Sequence, residues 1–256
     1  MTIKNLTLLL LLICFSFTIN AQSEELEQLL QNYSSGSDID EFYVNIPTKD
    51  DELGEIDTNN IDPAYSHAIL DKTLNYYGYF SKAPKVSALM IRTTYLRNLK
   101  GVAYLIDKNI SSNKNYGITI FKKNGDKVHF TDELKSDEFD KKLRKEVRPG
   151  DIVRYYYSYK SYSFANDAVY LSEAVPVKKC NFIFQTEDKM EYEAIGENGM
   201  ISSMDTTIED FQILEFTGTN LPIIKKEEFT ASNISMARVL FNVTYIRQYT
   251  DDKYDL

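Results

Sequence analysis

Residues 153–159 read VRYYYSY, and residues 237–245 read ARVLFNVTY. In each stretch the side chains of every second residue point to the same side of an extended chain, and one of the two sides is apolar or aromatic. In the first stretch that side holds Val153 and three tyrosines, which we expect to face a core. This period of two is typical of half-buried strands, so the sequence predicts a protein built from β-sheets.

Shorter signals on either side of these stretches agree with a β fold. Asn124-Gly125 separates two apolar runs and predicts a tight hairpin. Residues 86–99 fit a helix by spacing and a strand by composition, and both readings stay open. The charged residues 137–146 predict a short helix that ends before Pro149-Gly150. Further strand candidates are Asn181–Gln185, Met190–Ile195 and Asp210–Phe216. We expect a mostly β protein, an antiparallel β-sandwich preceded by an acidic arm and one or two short helices.

The N-terminal residues predict export. Residues 1–21 read MTIKNLTLLLLLICFSFTINA, with one lysine before an apolar run over residues 6–17. That run is too short to span a bilayer, so we expect a cleaved signal peptide, a periplasmic or extracellular mature chain and no stable membrane span. Cleavage removes Cys14 and leaves Cys180 as the single thiol, which excludes an internal disulfide.

Charge distinguishes an acidic arm, residues 22–70, from the predicted β-sandwich at 71–246 and the tail at 247–256. Residues 23–62 contain twelve acids and one lysine, although the whole chain of 256 residues has a net charge of only −9. A chain with no basic excess is not expected to bind nucleic acid. The arm opens with SEELEQLL, which favours a short helix, and then loses any period, as linkers do. Its acidic residues do not follow the spacing of a calcium loop, so no metal is expected.

Few residues in the sequence can support catalysis. A hydrolase would use Cys180 as its nucleophile with His67 or His129 as the base, and the lysines beside Cys180 would lower its pKa. Packing of a buried cysteine in a strand is the alternative. A carboxylate pair would suit glycoside hydrolysis. Its candidates are Glu187, Glu191, Glu193, Glu227 and Glu228. No nucleotide-binding glycine motif occurs, and we expect no cofactor.

Two surface features are candidates for binding. Exposed tyrosines stack on sugar rings or anchor a protein partner, whereas inward-facing ones pack in the core. The tyrosines that would bind are Tyr155, Tyr156, Tyr157, Tyr159 and Tyr162. A basic run would meet an acidic partner or the chain's own acidic arm, although interleaved acids favour a solvated helix face. It comprises Lys141, Lys142, Arg144, Lys145 and Arg148.

The order of several short motifs resembles a known family. The motifs, over residues 116–246, are GITIFKKNGDKVHF (117–130), KEVRPGDIVRYYYSYKSYSF (145–164), VYLSEAVPVKKCNFIF (169–184), MEYEAIGENG (190–199), ILEFTGTNLPIIKKEEF (213–229) and MARVLFNVTYI (236–246). In this order they are similar to the uncharacterised β-sandwich domain that precedes transglutaminase-like domains in secreted or periplasmic bacterial proteins.

The resemblance implies a role without catalysis. In longer relatives the activity is expected from a downstream papain-like domain with its own Cys, His and Asp. No cysteine follows Cys180 and no histidine follows His129 here, so no catalytic residue carries over. We expect a module that binds or scaffolds at the bacterial cell envelope, either truncated before a transglutaminase-like domain or standing alone. The alternatives are a hydrolase and a stand-alone protein that binds an envelope polysaccharide.

Overall fold

The computed structural model describes residues 45–53, 58, 60–81, 83–161, 166–187, 190–208, 211–224 and 235–246. In chain order, the elements are β1 (His67–Ser81), β2 (Ala83–Leu96), α1 (Leu99–Ile106), a 3-10 turn (Ile110–Ser112), β3 (Lys114–Phe121), β4 (Lys127–Thr131), α2 (Ser136–Glu146), β5 (Ile152–Ser161), β6 (Asn166–Tyr170), β7 (Val177–Glu187), β8 (Met190–Glu197), β9 (Ile201–Ile208), β10 (Phe211–Leu221) and β11 (Arg238–Ile246). They confirm a mostly β fold with short helices. Neither α-helix in these ranges has the length and apolar composition needed to cross a bilayer.

The strands form two sheets. The larger sheet has eight strands in the order β4-β3-β5-β2-β1-β7-β10-β9, and the smaller has three in the order β6-β11-β8. Neighbouring strands are antiparallel, as predicted, with the exception of the parallel pair β1 and β7. A parallel pair requires a long crossover, and here the chain from β2 to β6 supplies it.

Two apolar clusters cover one face of the larger sheet. The first includes Phe182, Phe216 and Val239, and it joins this face to the smaller sheet. The second includes Tyr155 and Phe139, and it joins the same face to the helices. Opposed residues of paired strands share a face, and the register places Phe182, Leu74, Met90 and Tyr157 in one row of that face. Tyr157 contacts both clusters, so the boundary between them runs across β5 and β2.

Local signals in the sequence locate several elements correctly. The hairpin between β3 and β4 turns at Gly125, whose φ of +92° suits a residue without a side chain. The helix predicted at 137–146 is α2. The ambiguous stretch is strand β2 up to Leu96, and α1 then begins after Asn98, whose side chain accepts hydrogen bonds from two helix N–H groups. β-Branched residues and tyrosine in that stretch favour the strand.

Both faces of β5 contain buried residues, which differs from the half-buried strand that the alternation predicts. Val153 and Tyr155 face the apolar cluster as expected, but Tyr156 and Ser158 on the opposite side are buried too. Tyr156 lies opposite Gly117 of β3, and the absent side chain leaves space for the tyrosine ring. The difference arises because β5 is a central strand, between β3 and β2, and both of its faces are partly covered.

The end of the acidic arm packs on the sheet. β1 begins at His67, four residues before the boundary predicted for the β-sandwich. Asp51 lies 3.5 Å from Arg154, and Glu52 lies 3.5 Å from Lys127. The arm therefore pairs with cations of β4 and β5, whereas Lys141 of the basic run pairs with Asp137 of the same helix, α2.

Candidate functional site

A buried group of charged side chains lies at the boundary between the two apolar clusters. Lys72 of β1 and Arg92 of β2 are opposed in the register, and next to them in the same row are Cys180 of β7 and Tyr155 of β5. Lys72 Nζ lies 2.8 Å and Arg92 Nη2 lies 2.6 Å from the same atom, Glu173 Oε1. We call Lys72, Arg92 and Glu173 the junction cluster.

The two cations are almost fully buried and the carboxylate is partly open. The side chains of Lys72 and Arg92 are 4% and 6% exposed, and that of Glu173 is 22% exposed. Burial alone raises the pKa of the Glu173 carboxyl, but Lys72 and Arg92 outweigh burial and hold this pKa below its usual value. Lys72 Nζ also donates to the carbonyl of Leu171 at 3.2 Å. Glu173 is therefore an anion that ties the loop after β6 to the sheet.

Helix α1 and the turn after it place an aromatic and a basic side chain beside the cluster. Arg92 Nη1 donates to the hydroxyl of Tyr104 at 3.1 Å. The ring of His67 stacks on Tyr104 with centroids 3.8 Å apart, and Lys108 Nζ lies 4.6 Å from the Tyr104 ring centre. Burial, Lys108 and Arg92 lower the pKa of His67 to about 4, so its imidazole is neutral at pH 7.

Cys180 lies in this row of side chains, but its thiol has neither the exposure nor the lowered pKa of a nucleophile. Its side chain is completely buried, and burial raises the pKa of its thiol to about 11 despite the nearby Lys72. The expectation that lysines lower this pKa is wrong, because desolvation of the thiolate outweighs their charge. His67 lies five residues from Lys72 along β1, about 16 Å on an extended strand. The pairing of Cys180 with His67 therefore does not form.

The remaining catalytic candidates lie elsewhere. His129 on β4 contacts Thr119 Oγ1 through Nδ1 at 2.8 Å, and burial lowers its pKa. Glu191 and Glu193 are exposed on β8, on either side of buried Tyr192. The side chain of Glu187 falls outside the described residues, as do Glu227 and Glu228 entirely. The described ranges contain no group of three or more His, Cys, Asp or Glu side chains that would hold a metal ion.

The four described tyrosines of the predicted binding cluster lie on β5 and are buried or half-buried. Tyr155 and Tyr156 expose 1% and 7% of their surface, while Tyr157 and Tyr159 are half-buried. Along β5 the rings of Tyr155, Tyr157 and Tyr159 follow one another at 6.4 and 6.1 Å. Burial raises the pKa of Tyr156 to about 12. Tyr162 falls outside the described residues. Packing accounts for Tyr155 and Tyr156, which offer almost no surface to a ligand.

The junction cluster was not predicted from the sequence, although a signal for it exists. Lys72 is two residues before Leu74, and Arg92 is two residues after Met90, so each charge occupies an inward position of a strand whose neighbouring inward residues are apolar. A charge at a core position needs a buried partner. Glu173 carries no comparable signal because it lies in a loop.

A separate cleft of about 260 Å³ opens where the parallel pair begins. Its lining includes Tyr65, Asp62, Lys178 and Asn220. An aromatic ring beside amide and carboxylate groups is a combination that binds polar ligands such as sugars.

Comparisons with known proteins give one likeness of fold. No protein-family model matches the chain, and no curated protein matches it significantly. The fold is similar to part of the crystal structure of a putative protease from Parabacteroides distasonis ATCC 8503, with a TM-score of 0.51 and 13% identity. The match covers 70% of this chain and 40% of that one. At this identity the likeness concerns the fold alone, and this chain corresponds to less than half of the larger protein.

Proposed function

We propose that the protein is an exported, non-catalytic β-sandwich module that scaffolds or binds at the bacterial cell envelope, in association with a transglutaminase-like or protease-like domain. The state of Cys180 is the observation that carries this proposal. The thiol is completely buried, has a pKa of about 11 and lies beside a lysine that is itself bound to Glu173. The charged side chains of the junction cluster, which could otherwise take part in chemistry, hold the two apolar clusters together.

The likeness in fold supports the association with a larger enzyme. The matched region makes up 40% of the putative protease, which is the share expected of one domain in a protein that has several. The order of motifs over residues 116–246 supports the same association, and the segment at 1–21 supports export. The cell envelope is therefore the compartment in which to look for the partner domain.

Two measurements on the native protein test the association. The first is the intact mass of the species recovered from periplasmic and secreted fractions of the source organism. The second is cross-linking of that species followed by mass spectrometry. The proposal expects a transglutaminase-like or protease-like domain, either in the same polypeptide or cross-linked to it. Recovery of the 22–256 chain with neither would contradict the association.

An activity assay tests the absence of catalysis. The purified chain and a Cys180→Ala variant are incubated with casein and with envelope polysaccharide. New amino termini of casein and new reducing ends of the polysaccharide are then counted. The proposal expects no turnover by either protein. Turnover that disappears in Cys180→Ala would establish the alternative, a cysteine hydrolase. Turnover that survives the substitution would point to carboxylates such as Glu191 and Glu193 and would equally contradict the proposal.

A second candidate, recognition of an envelope polysaccharide, is favoured by the cleft at the start of the parallel pair. Tyr65 offers a ring for stacking, and Asp62 and Asn220 offer polar groups. Co-sedimentation with purified cell-wall polysaccharide tests it. We expect Tyr65→Ala to weaken binding at least tenfold, and Tyr170→Ala, a change at an exposed tyrosine on β6, to leave it unchanged. Equal binding by both variants would remove the cleft from consideration.

A further inference from the structure

We propose that one face of β3, β4 and β5 is a docking site for an acidic segment of a partner protein. Residues 45–53 of the chain itself, which we call the strap, occupy this site until the partner displaces them. This proposal goes beyond the module's role at the envelope and does not depend on the associated domain. It rests on the cations of the face, on the contacts of the strap and on the exposure of its acidic side chains.

The docking face is the side of these strands that points away from α2. Phe130 of β4 packs in the same apolar cluster as α2, so alternation turns Lys127 and His129 of that strand to the opposite side. On this side the register places Thr119 beside His129, and Arg154 beside Thr119. Burial lowers the pKa of His129, so its imidazole is neutral at pH 7. The charges of the face are therefore the two cations, Lys127 and Arg154.

The sheet itself orients the guanidinium of Arg154. Its Nε donates to Thr93 Oγ1 at 3.3 Å, and its central carbon lies 5.8 Å from the centre of the Phe121 ring. Both contacts come from strands, so the guanidinium keeps its direction when the strap leaves. A cation that is held in place beforehand loses little freedom when it binds a carboxylate. The site is therefore formed before any segment occupies it.

The contacts of the strap show what kind of segment fits the site. Asp51 Oδ2 lies 3.5 Å from Arg154 Nη1, and Glu52 Oε1 lies 3.5 Å from Lys127 Nζ. Lys127 Nζ also donates to the backbone carbonyl of Asp51 at 3.1 Å, a contact that does not depend on the side chain at that position. Pro47 is buried four residues before Asp51. The site therefore accepts two adjacent acids that follow an apolar residue.

A turn within the strap presents Asp51 to the site. Thr48 Oγ1 donates to Asp51 Oδ1 at 2.9 Å, and the backbone N–H of Asp50 donates to Thr48 Oγ1 at 3.3 Å. Thr48, Lys49 and Asp50 are exposed, so these hydrogen bonds join residues of the strap to one another and not to the sheet. A free peptide with the sequence of the strap has every group that the turn needs.

The ionic contacts of the strap are weak enough to be exchanged. The side chains of Asp51 and Glu52 are 36% and 87% exposed, so water and salt screen both pairs. Exposed pairs of this kind contribute little to stability. The strap competes for the site chiefly because it belongs to the same chain, which gives it a high effective concentration there. A partner segment with contacts to further parts of the surface overcomes this advantage.

Binding of a labelled peptide to the full chain tests the site. The probe is a fluorescent peptide with the sequence of residues 45–53, NIPTKDDEL, blocked at both ends, and fluorescence anisotropy measures its Kd. In the double variant Asp51→Asn, Glu52→Gln the strap has lost its charges and competes less. We expect this variant to bind the probe about fivefold more tightly than the unsubstituted chain does. A probe with the same two substitutions should bind about fivefold more weakly. Equal affinity of the double variant and the unsubstituted chain would overturn the proposal.

A matched pair of arginine variants locates the binding. In the double-variant background, Arg154→Gln should weaken binding about fivefold, and Lys127→Gln should act in the same direction. Arg144→Gln should leave the Kd unchanged, because Arg144 is exposed on α2, at the other side of the sheet. Equal affinities of the Arg144 variant and both site variants would overturn the proposal. Sedimentation of the unsubstituted chain tests a second copy as the occupant. Dimers that Arg154→Gln dissociates would overturn the assignment to a separate partner protein.

Discussion

Lys72 and Arg92 stand opposite each other on adjacent strands of one sheet, and both donate to a single oxygen of Glu173, at 2.8 and 2.6 Å. Two like charges side by side repel, so the shared carboxylate is what permits the pair to be buried. The backbone carbonyl of Glu173 also accepts a hydrogen bond from Ile224 N at 2.9 Å. The loop that carries Glu173 is thereby fixed to the sheet and to the segment after β10.

Removal of the Glu173 charge should destabilise the fold. Glu173→Gln keeps the shape of the side chain but leaves Lys72 and Arg92 buried without a counter-charge. Breaking a buried pair in this way costs about 3–5 kcal/mol, and partial exposure of Glu173 favours the lower end of that range. Urea unfolding followed by circular dichroism measures the change in the free energy of unfolding.

Glu191→Gln is the matched control for this substitution. Glu191 is exposed on β8, and the same chemical change there should alter the free energy of unfolding by less than about 0.5 kcal/mol. If the two variants were equally stable, the carboxylate of Glu173 would not support the buried cations.

His67 should make stability depend on pH in the acid range. Its pKa is about 4 in the folded chain and 6.5 in the unfolded chain, so the unfolded chain binds more protons between these values. The contribution of His67 is therefore complete above pH 6.5 and is lost as the pH falls towards 4. The loss should be about 2–3 kcal/mol.

The same pH series on His67→Gln isolates this contribution. The variant has no imidazole to titrate, so its free energy of unfolding should change less between pH 6.5 and 4 than that of the unsubstituted chain. A direct check is the titration of the His67 ring protons by NMR. A midpoint near 6.5 would show that burial and the neighbouring cations do not act on this residue as described.

The ring of Tyr156 should require a glycine at position 117, because a larger residue there would collide with it. A Cβ atom at position 117 would lie 2.5 Å from Tyr156 Cε1, closer than side chains pack. Gly117→Ala should therefore cost about 1–3 kcal/mol in the free energy of unfolding. In a Tyr156→Val background the same change should become neutral or stabilising, because alanine is preferred to glycine inside a strand once the ring is gone. A cost that is unchanged in the second background would rule out the ring as its cause.

The sequence predicts those elements whose signals are local. The turn at Asn124-Gly125, the helix over 137–146 and the inward position of Tyr155 depend on neighbours within a few residues. Burial of Tyr156 depends instead on Gly117, which belongs to another strand. A period of two locates a strand but does not show whether its second face is covered.

The junction cluster illustrates why the candidate site could not be predicted in the same way. Glu173 and Lys72 are about a hundred residues apart and meet only because β1 and β7 pair in parallel. That pairing follows from a crossover rather than from a turn, and no short motif specifies it. The cysteine that sequence reasoning singled out lies in the right row of side chains, and its environment, not its identity, decides its chemistry.

Alkylation of Cys180 tests the central claim that this row is structural. A thiol with a pKa of about 11 is almost entirely protonated at pH 7.5, and it is also completely buried. The rate of labelling by iodoacetamide is measured on the native chain and on the chain unfolded in about 8 M urea. We predict labelling at least about 100-fold slower in the native chain. Native labelling as fast as that of the unfolded chain would reveal an accessible, activated thiol and would contradict the account.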